Sequence, residues 1–574
     1  MGSAILAGAP NHSISLVKVG ARPSRSNQRF REAGGGDFSS SHRHACARPR
    51  SSSFTPSLVY QAPNARVNKE ESVEILLFNT MSREKEVFRP RIHGKLSMYV
   101  CGVTAYDYSH IGHARVYVFF DVLYRYFTFM GYEVTYVRNF TDIDDKIIKR
   151  ANDLGDDPIE LSNRFCDEFR RDMASLRCLA PSLEPRVSRN IDQIIKMISQ
   201  ILENGYGYVL DNGDVYFSLD KFVPAFPDCY GRLSGRKLDD NRAGERVAVD
   251  DRKLNPGDFV LWKSSKDGEP SWESPWGAGR PGWHIECSAM SGATLGSSFD
   301  IHGGGMDLIF PHHENEIVQS RAACHESNIT YWMHNGFVTV DSEKMSKSLG
   351  NFFTIREVFE LYHPLALRWF LLCTHYRSPI NYSESQLQNA SQRLFYLYQT
   401  LFDAKRCVEG SQKEEKSYVV SQKAAENAKA LRLSLRSSLA DDLNTPVTIG
   451  ALSEPLKLMN ELLHSKRGRK DKSRYSSLDL LRLEVEQALE VLGFSVADYS
   501  QVLQELRSKA LKRAGLTEDE LLLQIHERAA ARASKDFGKS DEIRDKLSSL
   551  GISLMDGGGD ETLWRPSVTS EECF

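Results

Sequence analysis

SMYVCGVTAYDYSHIGHAR, residues 97 to 115, reads as a strand, a turn and the first turns of a helix. Met98, Tyr99 and Val100 carry the β-branched and aromatic bias of a buried strand, and Gly102, just after Cys101, breaks the pattern. His110-Ile111-Gly112-His113 then opens a mostly apolar segment, Val116 to Met130, predicted to be helical. A helix N-terminus offers free N–H groups and a partial positive charge, so two histidines around a glycine there point to phosphate. Cys101 alone says little, because free cysteine is among the most buried residue types.

Working outward, Gly131 ends the helix and Tyr132–Val137 reads as a second strand, so the order is strand, helix, strand, the unit of a parallel sheet. Val73–Phe78 and Leu96–Val100 read as paired strands leading into it. NFTDIDDKIIK, residues 139 to 149, reads as a capped loop entering another helix. From about Glu184 to Lys266 the texture changes: DVYFSL (214–219) and DFVLWK (258–263) alternate with Gly- and charge-rich loops, as in an insertion into the sheet domain. GWHIECSAM (282–290) returns as a helix, and Phe299–His302 as a strand ahead of three glycines. PHHENEIVQSRAA (311–323) reads as a helix with proline in its first position, which that position favours.

Tyr331–Val340 reads as the last strand and DSEKMSKSLGN (341–351) as a charged loop. From His363 onward helical periodicity dominates. HSKRGRKDKSR (464–474) reads as a solvated loop between helices, and the last 60 residues as a small helical unit with a Gly-rich tail before Trp564-Arg565. The divisions are 1–68, 69–375 with the insertion at about 184–266, 376–505 and 506–574.

A chain of 574 residues with 41% apolar and 26% charged residues has the composition of a soluble multidomain protein. No apolar run approaches the roughly 20 residues a membrane helix needs. The ten cysteines are scattered without a CxxC pair, which argues against a disulfide framework and for a reducing compartment. Residues 1–68 hold nine Lys or Arg, two acids and twelve serines, the bias of an organellar transit peptide; a basic RNA-binding arm is the other reading. That segment carries +7 of a formal net −3, which leaves −10 for the rest. Nucleic acid would then meet local patches on an acidic body.

Two motifs far apart in the chain answer one chemical need. HIGH at 110–113 and KMSKS at 344–348 supply histidines at a helix start and Lys344 and Lys347 on a loop after the last strand. Attack on the α-phosphate of ATP needs close approach of the base and cations for the charge growing on pyrophosphate. Gly112 removes a side chain where a base approaches, and His110 and His113 can donate to phosphate oxygens. Cys101, Cys287, His312 and Glu316 have metal-ligand chemistry, and His312 and Glu316, spaced i, i+4, share one helix face. On spacing alone His313 serves as well as His312, and both cysteines are equally compatible with packed apolar positions.

HIGH with KMSKS resembles the signature of class I aminoacyl-tRNA synthetases. CGVTAYDYSHIGHAR, NFTDIDDKI, PGWHIECSAMS, DIHGGGMDLIFPHHENEIVQS and KMSKSLGNF resemble the cysteinyl-tRNA synthetases among them, from about Glu74 to Arg565. The resemblance implies an α/β fold: a Rossmann-like parallel-sheet catalytic domain with an inserted connective domain, a helical bundle and a small anticodon-binding unit. It implies one zinc ion per chain on Cys101, Cys287, His312 and Glu316, joined by the thiolate of the substrate cysteine. Four protein ligands make a closed site, so the thiolate requires a fifth position or release of Glu316. Thr141, Trp283 and His302 are implied around the amino acid, Asp307 near the adenosine, with His110, His113 and Lys347 on ATP and Mg2+ accompanying it. Arg544, Trp564 and Arg565 are implied at tRNA(Cys), where unpaired bases offer stacking and hydrogen-bonding edges; a buried tryptophan and surface arginines are the other reading of the same residues. A monomer in the chloroplast, the mitochondrion or both follows from the same resemblance and the N-terminal segment. The rival readings are a cysteine ligase acting on an amino-sugar and a non-catalytic RNA-binding paralogue. The helical region after His375 argues against the first, and the intact motifs against the second.

Overall fold

The computed structural model describes residues 73–236, 251–340, 343–345, 352–410, 419–556 and 562–568. The segment read as a transit peptide lies outside them, as do Lys347 and the side chain of Lys344.

The first strands are β1 (Leu76–Asn79) and β2 (Glu84–Val87), an antiparallel hairpin. They do not pair with β3 (Lys95–Thr104), contrary to the sequence reading. Both edges of β3 are taken, one by β4 (Glu133–Thr141) and the other by β9 (Ser298–Gly305), both parallel to it. Helix α1 (Ile111–Phe129) makes the crossover from β3 to β4. Beyond it come α2 (Asp145–Leu154), capped by the Asp144 carboxylate accepting from the Lys146 N–H, and α3 (Pro158–Ser175), capped in the same way by Asp157.

The region expected as an insertion, about 184–266, holds α4 (Ile191–Glu203), β5 (Gly207–Val209), β6 (Val215–Phe217), α5 (Leu219–Ala225) and β7 (Phe259–Ser264), and its sheet extends past the expected end to β8 (Gly279–Pro281). Its strands form their own four-stranded antiparallel sheet in sequence order. Helix α6 (Trp283–Leu295) then leads back to β9, α7 (Glu314–Ala323) follows, and β10 (Asn328–Asn335) pairs parallel to β9.

The main sheet therefore runs β10-β9-β3-β4. Side chains on β3 alternate between two cores, as the period of a strand requires. Met98 and Val100 join α1 in one core, while Tyr99 and Cys101 face α4, α6 and α7 in the other. A parallel sheet covered on both faces reads as a continuous apolar run, which is why the opening stretch was legible.

Two local expectations change. Tyr331–Val340 is not one strand: it breaks at Gly336, where the N–H bonds to the Tyr376 carbonyl and a Cβ would stand 2.5 Å from the Ser378 carbonyl oxygen. After the break β11 (Val338–Val340) joins a different sheet, between β12 (Glu343–Lys344) and β13 (Ile380–Tyr382). Pro311 opens a helical turn as expected: Phe310 before it is extended (φ −138°, ψ 134°), as the residue before a helix-opening proline is, and the turn through His313 runs into α7, which is regular from Glu314. The C-terminal unit is not purely helical.

Helices α8 (Ile355–Leu361) and α9 (Pro364–Leu372) lead into α10 (Glu384–Gly410), α11 (Gln422–Ala440), α12 (Thr445–Ala451), α13 (Ser453–His464) and α14 (Arg474–Val491). The basic run 464–474 is the connection between α13 and α14, with Lys466, Arg467, Arg469, Lys470 and Lys472 exposed. The apolar core of the sheet continues into this bundle. Arg368 of α9, fully buried, ties the two: its Nε donates to the Leu492 carbonyl at 2.8 Å and its guanidinium pairs with Asp121 of α1. Helix α15 (Tyr499–Ala514) spans the division expected at residues 505 and 506. It is followed by α16 (Glu518–Ala533), α17 (Phe537–Ser549) and a hairpin of β14 (Ile552–Asp556) with β15 (Thr562–Pro566), which share a small core of their own.

Candidate active site

From β3 the chain leaves through α1 to β4 on one side, while β9 lies on the other and continues to β10. The sheet thus reverses its winding between β3 and β9, the place where open α/β sheets leave a crevice for ligands. Cys101 stands near the end of β3 and His302 on β9 beside it, with Cys101 Sγ 3.5 Å from His302 Nε2. Gly102 permits the packing behind them: a Cβ there would fall 1.6 Å from the Asn139 carbonyl oxygen.

Cys287, in the second turn of α6, brings its Sγ to 3.6 Å from that of Cys101. Glu316, in the first turn of α7, has Oε1 at 3.4 Å from Cys101 Sγ and 3.0 Å from His312 Nε2. His312 precedes the regular helix, yet it still faces Glu316. The donor atoms of Cys101, Cys287, His312 and Glu316 all lie within 4.8 Å of one another, and all four residues are buried. Cys101 and Glu316 also belong to a second group with His302 and His313. Both histidines left open by spacing therefore face the cluster, His312 in company with Cys287 and His313 with His302.

The donor set fits a borderline-soft divalent ion such as zinc: two sulfurs, an imidazole nitrogen and a carboxylate oxygen. Tetrahedral bonds of about 2.0–2.3 Å give donor–donor edges of about 3.3–3.8 Å, and the Cys101–Cys287 and Cys101–Glu316 separations of 3.6 and 3.4 Å fall in that range. The charges are mutually tuned. A hydrogen bond from the Cys101 thiol, helped by His312, holds Cys287 down to about 6 against the pull of burial. Burial pushes the Cys101 thiol well up. Burial alone would lower His312, but the Glu316 carboxylate and Cys287 outweigh it and hold the imidazole up to about 10. Glu316 is the converse: burial favours its neutral form, and His302 and His312 hold it well below the carboxylate range. Thiolate and carboxylate thus face a buried positive charge, the place a cation would take.

A second layer orients these groups. His284 Nδ1 lies 2.9 Å from His312 Nδ1, and the Trp283 ring stacks on His312 with centroids 4.3 Å apart. Trp332 stacks on His302 at 4.5 Å. His313 Nδ1 meets His334 Nε2 at 2.7 Å, and His334 Nδ1 meets Thr80 Oγ1 at 2.9 Å. Thr141 Oγ1 donates to Glu286 Oε2 at 2.8 Å, beside Cys287. Burial, with Cys287 next to it, pushes the Glu286 carboxyl well up. Trp283, Thr141 and His302 are thus gathered round the cluster. His284, Glu286, Trp332 and His334 escaped the sequence reading; His284 and Glu286 flank the motif residues Trp283 and Cys287, whereas nothing local marks His334 or its partner Thr80.

The other expected site is built locally. His110 is the N-cap of α1, and its backbone N–H donates to His113 Nδ1 at 3.3 Å. The two rings stack with centroids 3.7 Å apart. Gly112 is required by this arrangement, since a Cβ would stand 2.8 Å from two atoms of the His110 ring. No acidic residue lies in the first turn, so the helix end keeps its positive character. Of KMSKS, Met345 is buried and donates its N–H to the Val338 carbonyl, and Lys344 pairs through its backbone with Thr339. Asp307 is exposed in the short turn after β9.

At the C-terminus, Arg544 is half-exposed on α17 beside Asp541 and Asp545, and Arg565 pairs with Ser553 across the hairpin. Of the two readings of Trp564, the structure has the buried one: only 9% exposed, it packs in the core of the unit. Among the described residues the aromatic ring that is open there is Phe537, 61% exposed.

Residues 87–392 match the family model described as tRNA synthetases class I (C) catalytic domain. A curated relative from Arabidopsis thaliana, "Cysteine--tRNA ligase, chloroplastic/mitochondrial", is 61% identical over 86% of this chain and 87% of its own length. Its counterpart from Zea mays, also named chloroplastic/mitochondrial, is 61% identical over 87% of each. Among solved structures, Mycobacterium tuberculosis methionyl-tRNA synthetase in complex with methionyl-adenylate superimposes with a TM-score of 0.52 at 16% identity, over 74% of this chain and 94% of that one. That likeness speaks to the fold.

Proposed function

The chain belongs to the family of cysteine–tRNA ligases, and on that premise we propose that it joins L-cysteine to tRNA(Cys) with ATP inside an organelle. The observation that carries the reading is the convergence of Cys101, Cys287, His312 and Glu316 at the crevice between β3 and β9. Residues 69–375 form the catalytic domain with its insertion, 376–505 the helical bundle and 506–574 the anticodon-binding unit. Among the described residues no helix is long and apolar enough to cross a membrane. Residues 1–68 supply the address, and the protein acts as a monomer.

Cys101, Cys287, His312 and Glu316 hold one zinc ion, which when bound offers a Lewis-acid site for a soft thiolate. Trp283, Thr141 and His302 enclose the rest of the amino acid. Serine differs by oxygen for sulfur, too little for shape to reject, but its hydroxyl stays protonated and is a poor ligand for such a donor set. A site built for one polar partner can reject its analogue by about 10⁴–10⁵, so no editing domain is needed. His110 and His113, with the N–H groups opening α1, hold the phosphates of Mg2+-ATP, and Asp307 lies at the adenosine. Lys344 and Lys347 stabilise the charge that grows on pyrophosphate as the cysteine carboxylate attacks the α-phosphate. The terminal adenosine of the tRNA then takes the cysteinyl group. Throughout, the side chains position and stabilise, and none forms a covalent bond to substrate. Arg544 and Arg565 face the anticodon, with Phe537 rather than Trp564 as the stacking surface.

ATP–pyrophosphate exchange with each amino acid in turn, followed by charging of a tRNA(Cys) transcript, tests the reading. Exchange restricted to cysteine together with charging supports it. Absence of cysteine-dependent exchange would overturn it, and exchange without charging would favour the ligase acting on another acceptor.

A further inference from the structure

The segment before HIGH and the segment after KMSKS meet in a short antiparallel bridge. Ile355 N–H donates to the Ser109 carbonyl at 2.8 Å, and Ile111 N–H to the Phe353 carbonyl at 3.4 Å, on either side of the pair His110 and Thr354. The Phe352 ring meets the His110 ring edge-on at 5.1 Å. Two backbone hydrogen bonds between segments so far apart in the chain do not by themselves fix a register. Something must hold the second strand of the bridge in place.

Helix α8 begins there, with Thr354 and Glu357 closing a reciprocal cap. Its second residue, Arg356, reaches across to α3, where Nε donates to Asp172 Oδ1 at 2.9 Å and a terminal nitrogen pairs with Glu168. The guanidinium carbon Cζ lies over the ring of Tyr108, two residues before His110, at 4.4 Å from its centroid. Tyr108 in turn packs edge-on against Phe165 of α3 at 5.4 Å. Helix α3 is therefore a common platform for both segments. Asp172 links them as well: burial pushes its carboxyl up from its ordinary value, and Arg356 and the Ser109 backbone N–H both oppose that push. A planar guanidinium that meets two carboxylates and an aromatic face has a geometry that a lysine ammonium cannot copy.

We propose that Arg356, clamped on Glu168 and Asp172 and stacked on Tyr108, is a positioning residue for adenylate formation, setting the register of the chain that leaves KMSKS against the N-terminus of α1. The inference rests on the reading that HIGH and KMSKS serve ATP. It assigns Arg356 no contact with substrate. A displacement on the order of 1 Å in such an assembly costs about 10²-fold in rate.

The test is cysteine-dependent ATP–pyrophosphate exchange on the full-length protein, with kcat, the KM values for ATP and cysteine, bound zinc and thermal midpoint measured in parallel. Arg356→Ala is expected to lower kcat by about 10²-fold while the KM for cysteine and the zinc content stay at wild-type values and the midpoint falls by no more than loss of the Asp172 pair alone causes, as read from Asp172→Asn. Arg356→Lys is expected to recover only part of the loss, and Tyr108→Leu added to Arg356→Ala to cost less than it does alone, because the two act through one contact. Wild-type kcat in Arg356→Ala would overturn the proposal. So would parallel losses of kcat, cysteine binding and thermal midpoint, which mark a purely structural residue. Wild-type protein without cysteine-dependent exchange would overturn the functional reading, and this inference with it.

Discussion

Cys101 and His110 stand on two sides of one short loop, yet their surroundings differ in kind. The cluster round Cys101 is assembled from three separate stretches, β3, α6 and the helical turn that runs into α7, and every donor in it is buried. Each ionisable group there owes its state to the others, as Cys287, His312 and Glu316 show. His110 and His113 are placed by their own helix, through a cap, a ring stack and a glycine. From afar come the bridge to Phe353 and Thr354 and the Phe352 ring against His110. Selecting a side chain demands a rigid, water-excluding set of donors; holding triphosphate demands a helix end and cations that can close on it.

The difference can be broken by mutation. The largest effect belongs to Cys101→Ser, which should empty the metal site and collapse a cysteine-over-serine preference of about 10⁴; metal analysis alongside exchange with both amino acids reads it. His113→Ala should lower the exchange rate by about 10²–10³ with zinc retained, so identical defects in the two variants would erase the division of labour. Gly112→Ala sharpens it: the added methyl displaces the His110 ring and should slow exchange by about 10-fold, with metal content untouched. Arg544→Ala should raise the KM for tRNA(Cys) a few-fold, by about 1 kcal/mol, and leave exchange at the wild-type rate. A changed exchange rate in that variant would remove Arg544 from the tRNA side.

Sequence reading reached the two sites to different depths for the same reason. HIGH and the strand before it are contiguous, so periodicity and helix-start chemistry place them without the fold. The metal set came from residue chemistry, the i, i+4 spacing of His312 and Glu316 and above all the family resemblance. Spacing could not choose between His312 and His313, because both face the cluster. His334 and Thr80 were invisible, since their contact joins a strand end to the turn after β1. Trp564 stayed open between two readings because an aromatic beside an arginine reads alike whether it stacks on a base or fills a core, and its partners in the small core, Leu554 among them, come only with the fold. Pro311 was legible because a helix-start preference is local: the extended Phe310 before it and the helical turn after it need no distant partner.

The central claim is that a metal held by Cys101, Cys287, His312 and Glu316 chooses the amino acid. Its most direct test is zinc content and exchange with cysteine and with serine, measured on wild-type protein as isolated, after chelation and after zinc is restored. The account predicts one zinc per chain, loss of cysteine-dependent exchange on chelation and its return with zinc. Metal-free protein that still separates cysteine from serine as well as before would contradict it.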